Sequence, residues 1–304
     1  MKLNNKGFAI SSIMYIILVL AVILIALTLA ILSSRKLILD KLKNEALKNI
    51  YPPCSLVEGE ANTVGSKYLC KVKDKMEEGF EDGYYFYVLS HNEDGTTNLI
   101  MERNICDDGT VATQDKLCLT KWYASSKSNS YGPVTALEYV HEATKGWSNI
   151  PNIIIDYKDE NKGYYFGKTN GYGTIKTTSN TTTITSKAGQ ETLKLENLKA
   201  RLPMYSEVYG SGKCLRYGDS GKYGVCPLWL VNYMDDTGYD KYSVTNGKVN
   251  IKDLVGYWLL SSGSDQNYMA WQVDYRGIVY YHDVNVGNDG IRPVITLSNS
   301  LISN

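Results

Sequence analysis

Six cysteines, three histidines and one close-set trio of aspartates are the side chains whose type and spacing could do chemistry in this 304-residue sequence. The cysteines are Cys54, Cys70, Cys106, Cys118, Cys214 and Cys226. An even number, falling into three sequence-local pairs, predicts disulfides Cys54–Cys70, Cys106–Cys118 and Cys214–Cys226, because each closes a short loop that oxidation can form early. No Cys-x-x-Cys and no clustering of Cys with His occurs, so a structural zinc site is not expected. His91, His141 and His282 stand in no triad or metal spacing and read as surface or turn residues. Asp235, Asp236 and Asp240 flank Thr237-Gly238 and could line a calcium loop. They miss the EF-hand pattern, and an acidic turn is the plainer reading. No phosphate-binding loop is found. The chemistry on offer is cross-linking: no catalytic residue, metal or cofactor is expected, and the chain is not read as an enzyme.

The elements that must hold these residues begin with an apolar run. Lys2 and Lys6 mark a short basic leader, Gly7-Phe8 follows, and no charge occurs again until Arg35. A run that long can cross a bilayer as a helix, which takes about 20 apolar residues. Beyond it, Leu39, Leu42, Ala46, Leu47 and Ile50 recur at helical spacing between lysines and Glu45, and Pro52-Pro53 ends the pattern. Residues 8–51 would then form a rod of about 65 Å. The whole arrangement resembles type IV prepilins and pseudopilins, whose leader is removed after a Gly so that the mature chain starts with Phe. The resemblance implies a leader over 1–7, processing at Gly7 and Phe8 by a prepilin peptidase, and a stem helix over 8–51, transmembrane over 8–34. It further implies a chain held in the cell membrane by one N-terminal helix, with its C-terminal part extracellular, in contact with other pilin-like subunits and incorporated in a filament. One departure stands at the fifth mature position, where the family carries Glu and this chain has Ser12. Some tip subunits share that departure. A plain signal anchor is the alternative.

The remaining residues suffice for one large domain or two small ones. Formal net charge is zero, so nothing favours nucleic acid as a partner. There are 25 Tyr against 4 Phe, a bias that suits recognition surfaces and equally a β-rich domain. Residues 52–79 read as a disulfide-tethered connector. Gly83 to Ser90 and Thr96 to Asn104 read as strands joined by a turn over His91 to Gly95, Pro133 to Lys145 as a helix, and Thr174 to Thr192 as an exposed insertion or long hairpin containing the formal glycosylation acceptor Asn180. Short helices are expected at Pro203 to Tyr209 and Pro227 to Met234, and strands alternate with turns from Tyr257 to Leu297.

A second resemblance rests on that last third. Ala200-Arg-Leu-Pro-Met-Tyr-Ser-Glu-Val208, Gly256-Tyr-Trp-Leu-Leu-Ser-Ser262, Ala270-Trp-Gln-Val-Asp274 and Gly290-Ile-Arg-Pro-Val-Ile-Thr-Leu297 follow one another in the order seen in the formylglycine-generating-enzyme branch of the C-type lectin fold. No Cys follows Cys226, so that branch's reactive cysteine pair is missing, and so is the Glu-Pro-Asn calcium-sugar motif of true lectins. The resemblance implies an α+β chain: a long N-terminal membrane and stem helix, then a C-type-lectin-like mixed domain over 80–304 with antiparallel strands and short helices. Some members of the branch are targets of diversity-generating retroelements, which scatter polar and aromatic residues over one exposed face. Here that face would be Asp265, Asn267, Tyr268, Asp274, Tyr275, Tyr280, Tyr281, His282, Asp283, Asn285, Asn288 and Asp289, with Ala270, Trp271, Val273, Gly277, Val279 and Val284 as scaffold. An ordinary polar hairpin is the alternative. The expected function is adhesion or capture of an extracellular protein or glycan ligand. A minor pseudopilin that primes a secretion or DNA-uptake filament is the second reading, and a divergent cell-wall or sugar-processing enzyme a distant third.

Overall fold

The computed structural model describes residues 14–25, 27–28, 35, 52–113, 116–125, 127–158, 173–186, 191–210, 213–215, 226–231, 256–262, 267–274, 277–287 and 289–303. The chain falls into two compact units, Met1–Pro52 and Pro53–Asn304. In the first, residues 14–25 are helical and their large apolar side chains are exposed. Among the described residues no helix is long and apolar enough to cross a membrane. The expected fold class is thereby corrected: the described chain is mostly β with short helices, not an α+β chain on a long membrane and stem helix. The localisation built on that helix, in the cell membrane through one N-terminal span, is not supported either. Gly7, Phe8 and Ser12 lie outside the described residues.

The second unit contains strands β1 (Cys54–Leu56), β2 (Lys67–Cys70), β3 (Tyr84–His91), β4 (Thr96–Met101), β5 (Asp156–Lys158), β6 (Thr174–Thr178), β7 (Thr181–Thr185), β8 (Glu191–Glu196), β9 (Tyr257–Ser262), β10 (Met269–Asp274), β11 (Ile278–Asp283), β12 (Val294–Ser298) and β13 (Ile302–Ser303). Six of them form one sheet in the order β12-β4-β3-β2-β1-β13. All its pairings are antiparallel except β1 with β13. Its two edge strands are neighbours in sequence, separated only by the 3-10 turn Asn299–Leu301, so the sheet curls into a nearly closed barrel. The hairpin β3–β4 turns as its sequence suggests: Gly95 takes φ 78° and the Asn92 N–H donates to the Thr96 carbonyl at 2.8 Å.

Residues 52–79, expected as a connector, supply β1 and β2 to this sheet. Cys54 and Cys70 stand directly opposite each other in the β1–β2 ladder and are disulfide-bonded. Cys106–Cys118 and Cys214–Cys226 are the other two bridges. Replacing Cys54 and Cys70 together by Ser is expected to cost about 3 kcal/mol, the loop-closure contribution for a span of this size. A fall in the urea midpoint at unchanged slope would measure it.

The Thr-rich segment supplies the centre of a second sheet, β5-β6-β7-β8, whose edge strand β5 comes from further upstream, and Asn180 is exposed in its β6–β7 turn. The third sheet, β11-β10-β9, carries the C-terminal sequence signature. All six residues of β9 are buried because both faces of the strand are covered. Trp258 and Leu260 enter a large core with Trp122, Trp147 and Phe86, while Tyr257 and Leu259 enter a smaller one with Tyr205, Leu230 and Trp271. Alternation along one strand thus feeds two cores. The helix Val134–Thr144 buries Ala136, Leu137, Val140, Ala143 and Thr144, the stripe that a 3.6-residue period predicts.

The Arg-Leu-Pro signature is structural. Arg201 grips Glu207 with two parallel hydrogen bonds, Nη1 to Oε2 at 2.7 Å and Nη2 to Oε1 at 2.6 Å. Glu207 also accepts from the Met204 N–H at 2.7 Å, capping the short helix Tyr205–Val208, and from Asn98 Nδ2 at 3.2 Å. One carboxylate therefore ties β4, the 201–204 turn and a helix start together.

Candidate ligand-recognition face

β10 and β11 pair antiparallel in an unbroken register, with Met269 opposite Asp283, Ala270 opposite His282, Trp271 opposite Tyr281, Gln272 opposite Tyr280, Val273 opposite Val279 and Asp274 opposite Ile278. Alternation divides the hairpin into two faces. Trp271, Val273 and Val279 point into the smaller core, and Tyr281 packs against its edge. The Trp271 and Tyr281 rings meet edge to face with centroids 5.4 Å apart, and Trp271 also contacts Tyr205 at 4.7 Å. Tyr280 lies with its ring nearly parallel to that of Tyr281, centroids 4.8 Å apart.

The structure brings a subset of the expected face to the surface. Asn267 and Tyr268 are exposed, and Tyr280, Tyr281, His282, Asp283 and Asn285 are half-buried. Ala270, Trp271, Val273, Gly277, Val279 and Val284, read as scaffold, are all buried. Asp274 and Asp289 do not belong on the surface: each is 4% exposed and lies beneath it. Asp265, Tyr275 and Asn288 lie outside the described residues, as do Asp235, Asp236 and Asp240.

Asp289 is the hub below the face. Its carbonyl accepts from the Thr120 N–H at 2.9 Å, and its carboxylate lies 3.3 Å from His282 Nδ1. With its amide turned to satisfy this network, Gln272 donates to the same carboxylate. Gly256 packs so closely that a Cβ there would come within 2.8 Å of the Asp289 carboxylate and 2.3 Å of the Val273 carbonyl, which leaves glycine as the residue that fits. Burial pushes the Asp289 carboxyl above the ordinary carboxylate range, while the hydrogen bond from His282 works against that rise. The same hydrogen bond holds the His282 imidazole above its ordinary value against the opposing effect of burial, and the charges of Asp289, Asp283 and Asp274 reinforce it. The His282 ring stacks on Trp258, centroids 6.1 Å apart. Such a pair can hold or exchange a proton and can pin two segments together. Among the described residues no group of three His, Cys, Asp or Glu side chains converges on a metal position.

A second segment completes the face, and sequence reading passed over it. The Asn129 N–H donates to the Asn267 carbonyl at 2.6 Å, Asn129 Nδ2 to the Met269 carbonyl at 2.8 Å, and the Tyr123 N–H to the Val284 carbonyl at 2.8 Å. These bonds seat the loop 123–131 beside Asn267 and Tyr268. Its two tyrosines, Tyr123 and Tyr131, stack at 5.3 Å, and Tyr131 and Tyr268 are 38% and 37% exposed. The signal was present in the composition, Tyr, Ser and Asn in a short run, but more than a hundred residues separate it from the hairpin it joins. The described residues also line an open pocket of about 290 Å³ between the loop 79–83 and the end of β4, with Phe80, Tyr84 and Arg103 among its walls. It lies apart from the hairpin and shares no residue with the face.

Compared with protein-family models, curated proteins and solved structures, the chain matches none.

Proposed function

We propose that this chain is a recognition protein that captures a protein or glycan ligand through the exposed side of the β10–β11 hairpin, the turn at Asn267 and Tyr268, and the loop 123–131. The observation that carries the reading is the sorting of residues along one short segment. Seven polar or aromatic side chains reach solvent there, above an apolar scaffold buried without exception. Tyrosine presents a large amphipathic surface with little rotamer freedom to lose, which is what an adaptable binding face requires. Clustered aromatics of this kind commonly act as anchors worth about 2 kcal/mol or more each.

The test uses Tyr268 and Tyr280, because neither belongs to a core cluster, whereas Tyr281 packs against Trp271. The full chain and its Tyr268→Ala/Tyr280→Ala variant are applied to a printed glycan array and to an array of cell-surface proteins. Signals shown by the wild type are expected to fall at least tenfold in the variant, as two such anchors imply, while the melting temperature moves by only a few degrees. Equal signals from both proteins would show that the face is ordinary surface.

A further inference from the structure

We propose that His282 and Asp289 form a proton-operated latch that sets the order of the recognition strand β11. The proposal rests on the reading of this hairpin as the binding face and concerns how that face is regulated.

The geometry places four segments on one residue, three of them at its carboxylate. Asp289 receives Gln272 from β10 and His282 from β11, Gly256 lies against it just before β9, and its own backbone is bonded to Thr120. His282 is the lid of this arrangement: half-buried, stacked on Trp258 and flanked along β11 by Tyr281 and Asp283. Its charge state therefore decides whether the outer half of β11 is tied to the domain by an ion pair or by a neutral contact. The charged groups around the imidazole are acidic on three segments: Asp289, Asp274 on β10 and Asp283 on β11 itself. Lys121, beside Thr120, packs its side chain against Gly287.

The direction follows from linkage. His282 is held above its ordinary value in the folded chain, so its contribution is fully present below the ordinary histidine range, near 6.5, and is lost as pH rises through the raised value. Asp289 is raised as well, so the carboxylate needed for the ion pair disappears under acid conditions. The latch is closed between those two titrations and opens on the alkaline side when the imidazolium is lost. An open latch leaves a buried carboxylate without its cation and frees the strand that carries Tyr280 and Tyr281.

Hydrogen exchange of the full chain, followed by mass spectrometry at pH 6.0 and 8.5 with correction for intrinsic rates, reads this without any ligand. Peptides covering Ile278–Asp283 report the latch, and peptides covering Tyr84–His91 serve as reference. Protection of the β11 peptide relative to the reference is expected to be lost in part from pH 6.0 to pH 8.5, the direction set by the raised imidazole. The fall should vanish in His282→Gln and in Asp289→Asn, whose folding is checked by the reference peptides. A wild-type β11 whose protection ignores pH overturns the latch, and so does a fall of equal size in His282→Gln. Either result leaves the recognition reading standing, whereas unchanged array binding by the Tyr268/Tyr280 variant overturns the recognition reading alone.

Discussion

Glu207→Ala is expected to destabilise the second unit by about 3–5 kcal/mol, because it strips a nearly buried guanidinium of its partner. Arg201 and Glu207 have side chains only 6% and 11% exposed, so water cannot readily take over the lost hydrogen bonds. The same change removes the acceptor for the Met204 N–H and for Asn98 Nδ2, uncapping the helix Tyr205–Val208 and loosening its tie to β4. Glu207→Gln keeps the shape and one acceptor and should recover part of the loss. An apolar pair, Arg201→Met/Glu207→Leu, should be less damaging than the alanine variant, since no unpaired charge remains. Urea denaturation of the three variants distinguishes these outcomes. A loss below about 1 kcal/mol for Glu207→Ala would class the pair with exposed salt bridges and defeat the argument.

Trp258→Ala is expected to cost a similar amount, about 3–5 kcal/mol, for a different reason. The indole is completely buried in the larger core, and its Nε1–H donates to the Thr120 carbonyl at 3.0 Å. Trp122 makes the converse bond, Nε1–H to the Leu259 carbonyl at 2.8 Å, so two indoles clamp the 120–122 segment to β9. Removing Trp258 opens a cavity and takes the donor from a part-buried carbonyl. It also takes away the surface on which His282 stacks. Trp258→Phe isolates the hydrogen bond from the packing and should cost roughly 1–3 kcal/mol. Calorimetry should show a melting-temperature drop of about 10 °C for the alanine variant, given the size of the unit. A drop of only a few degrees would mean that the core refills the space.

What could be read from the sequence was what neighbours in sequence decide. The β3–β4 hairpin announced itself through alternation and the Asn92 to Gly95 turn, the helix Val134–Thr144 through its period and the preceding Pro133, and the three disulfides through the closeness of their cysteines. β1 and β2 gave no such signal. They are three and four residues long, and they exist because a disulfide and two remote strands hold them. Face and scaffold were told apart by residue type, polar and aromatic against apolar, and Asp274 and Asp289 depart from that division because both are buried. The Asp289 carboxyl is hidden in a polar hub shared with Gln272 and His282, and polarity alone could not say so. The loop 123–131 carried the right composition, but only folding brings it to Tyr268. The expectation of a membrane span rested on hydropathy alone, and among the described residues no helix is long and apolar enough to cross a membrane.

Ser55 pairs with Ser303 across a sequence separation of 248 residues, and their hydroxyls are hydrogen-bonded at 2.9 Å. During synthesis, β1 to β4 are complete roughly 190 residues before β12 and β13 emerge to cover the two outer strands. At the usual 5–20 residues per second that interval lasts roughly 10–40 s. A sheet of β1 to β4 formed in that time would have both edges bare, the geometry that invites pairing with another chain. Slow, late closure of this kind makes the nascent protein a natural client for a chaperone that shields strand edges.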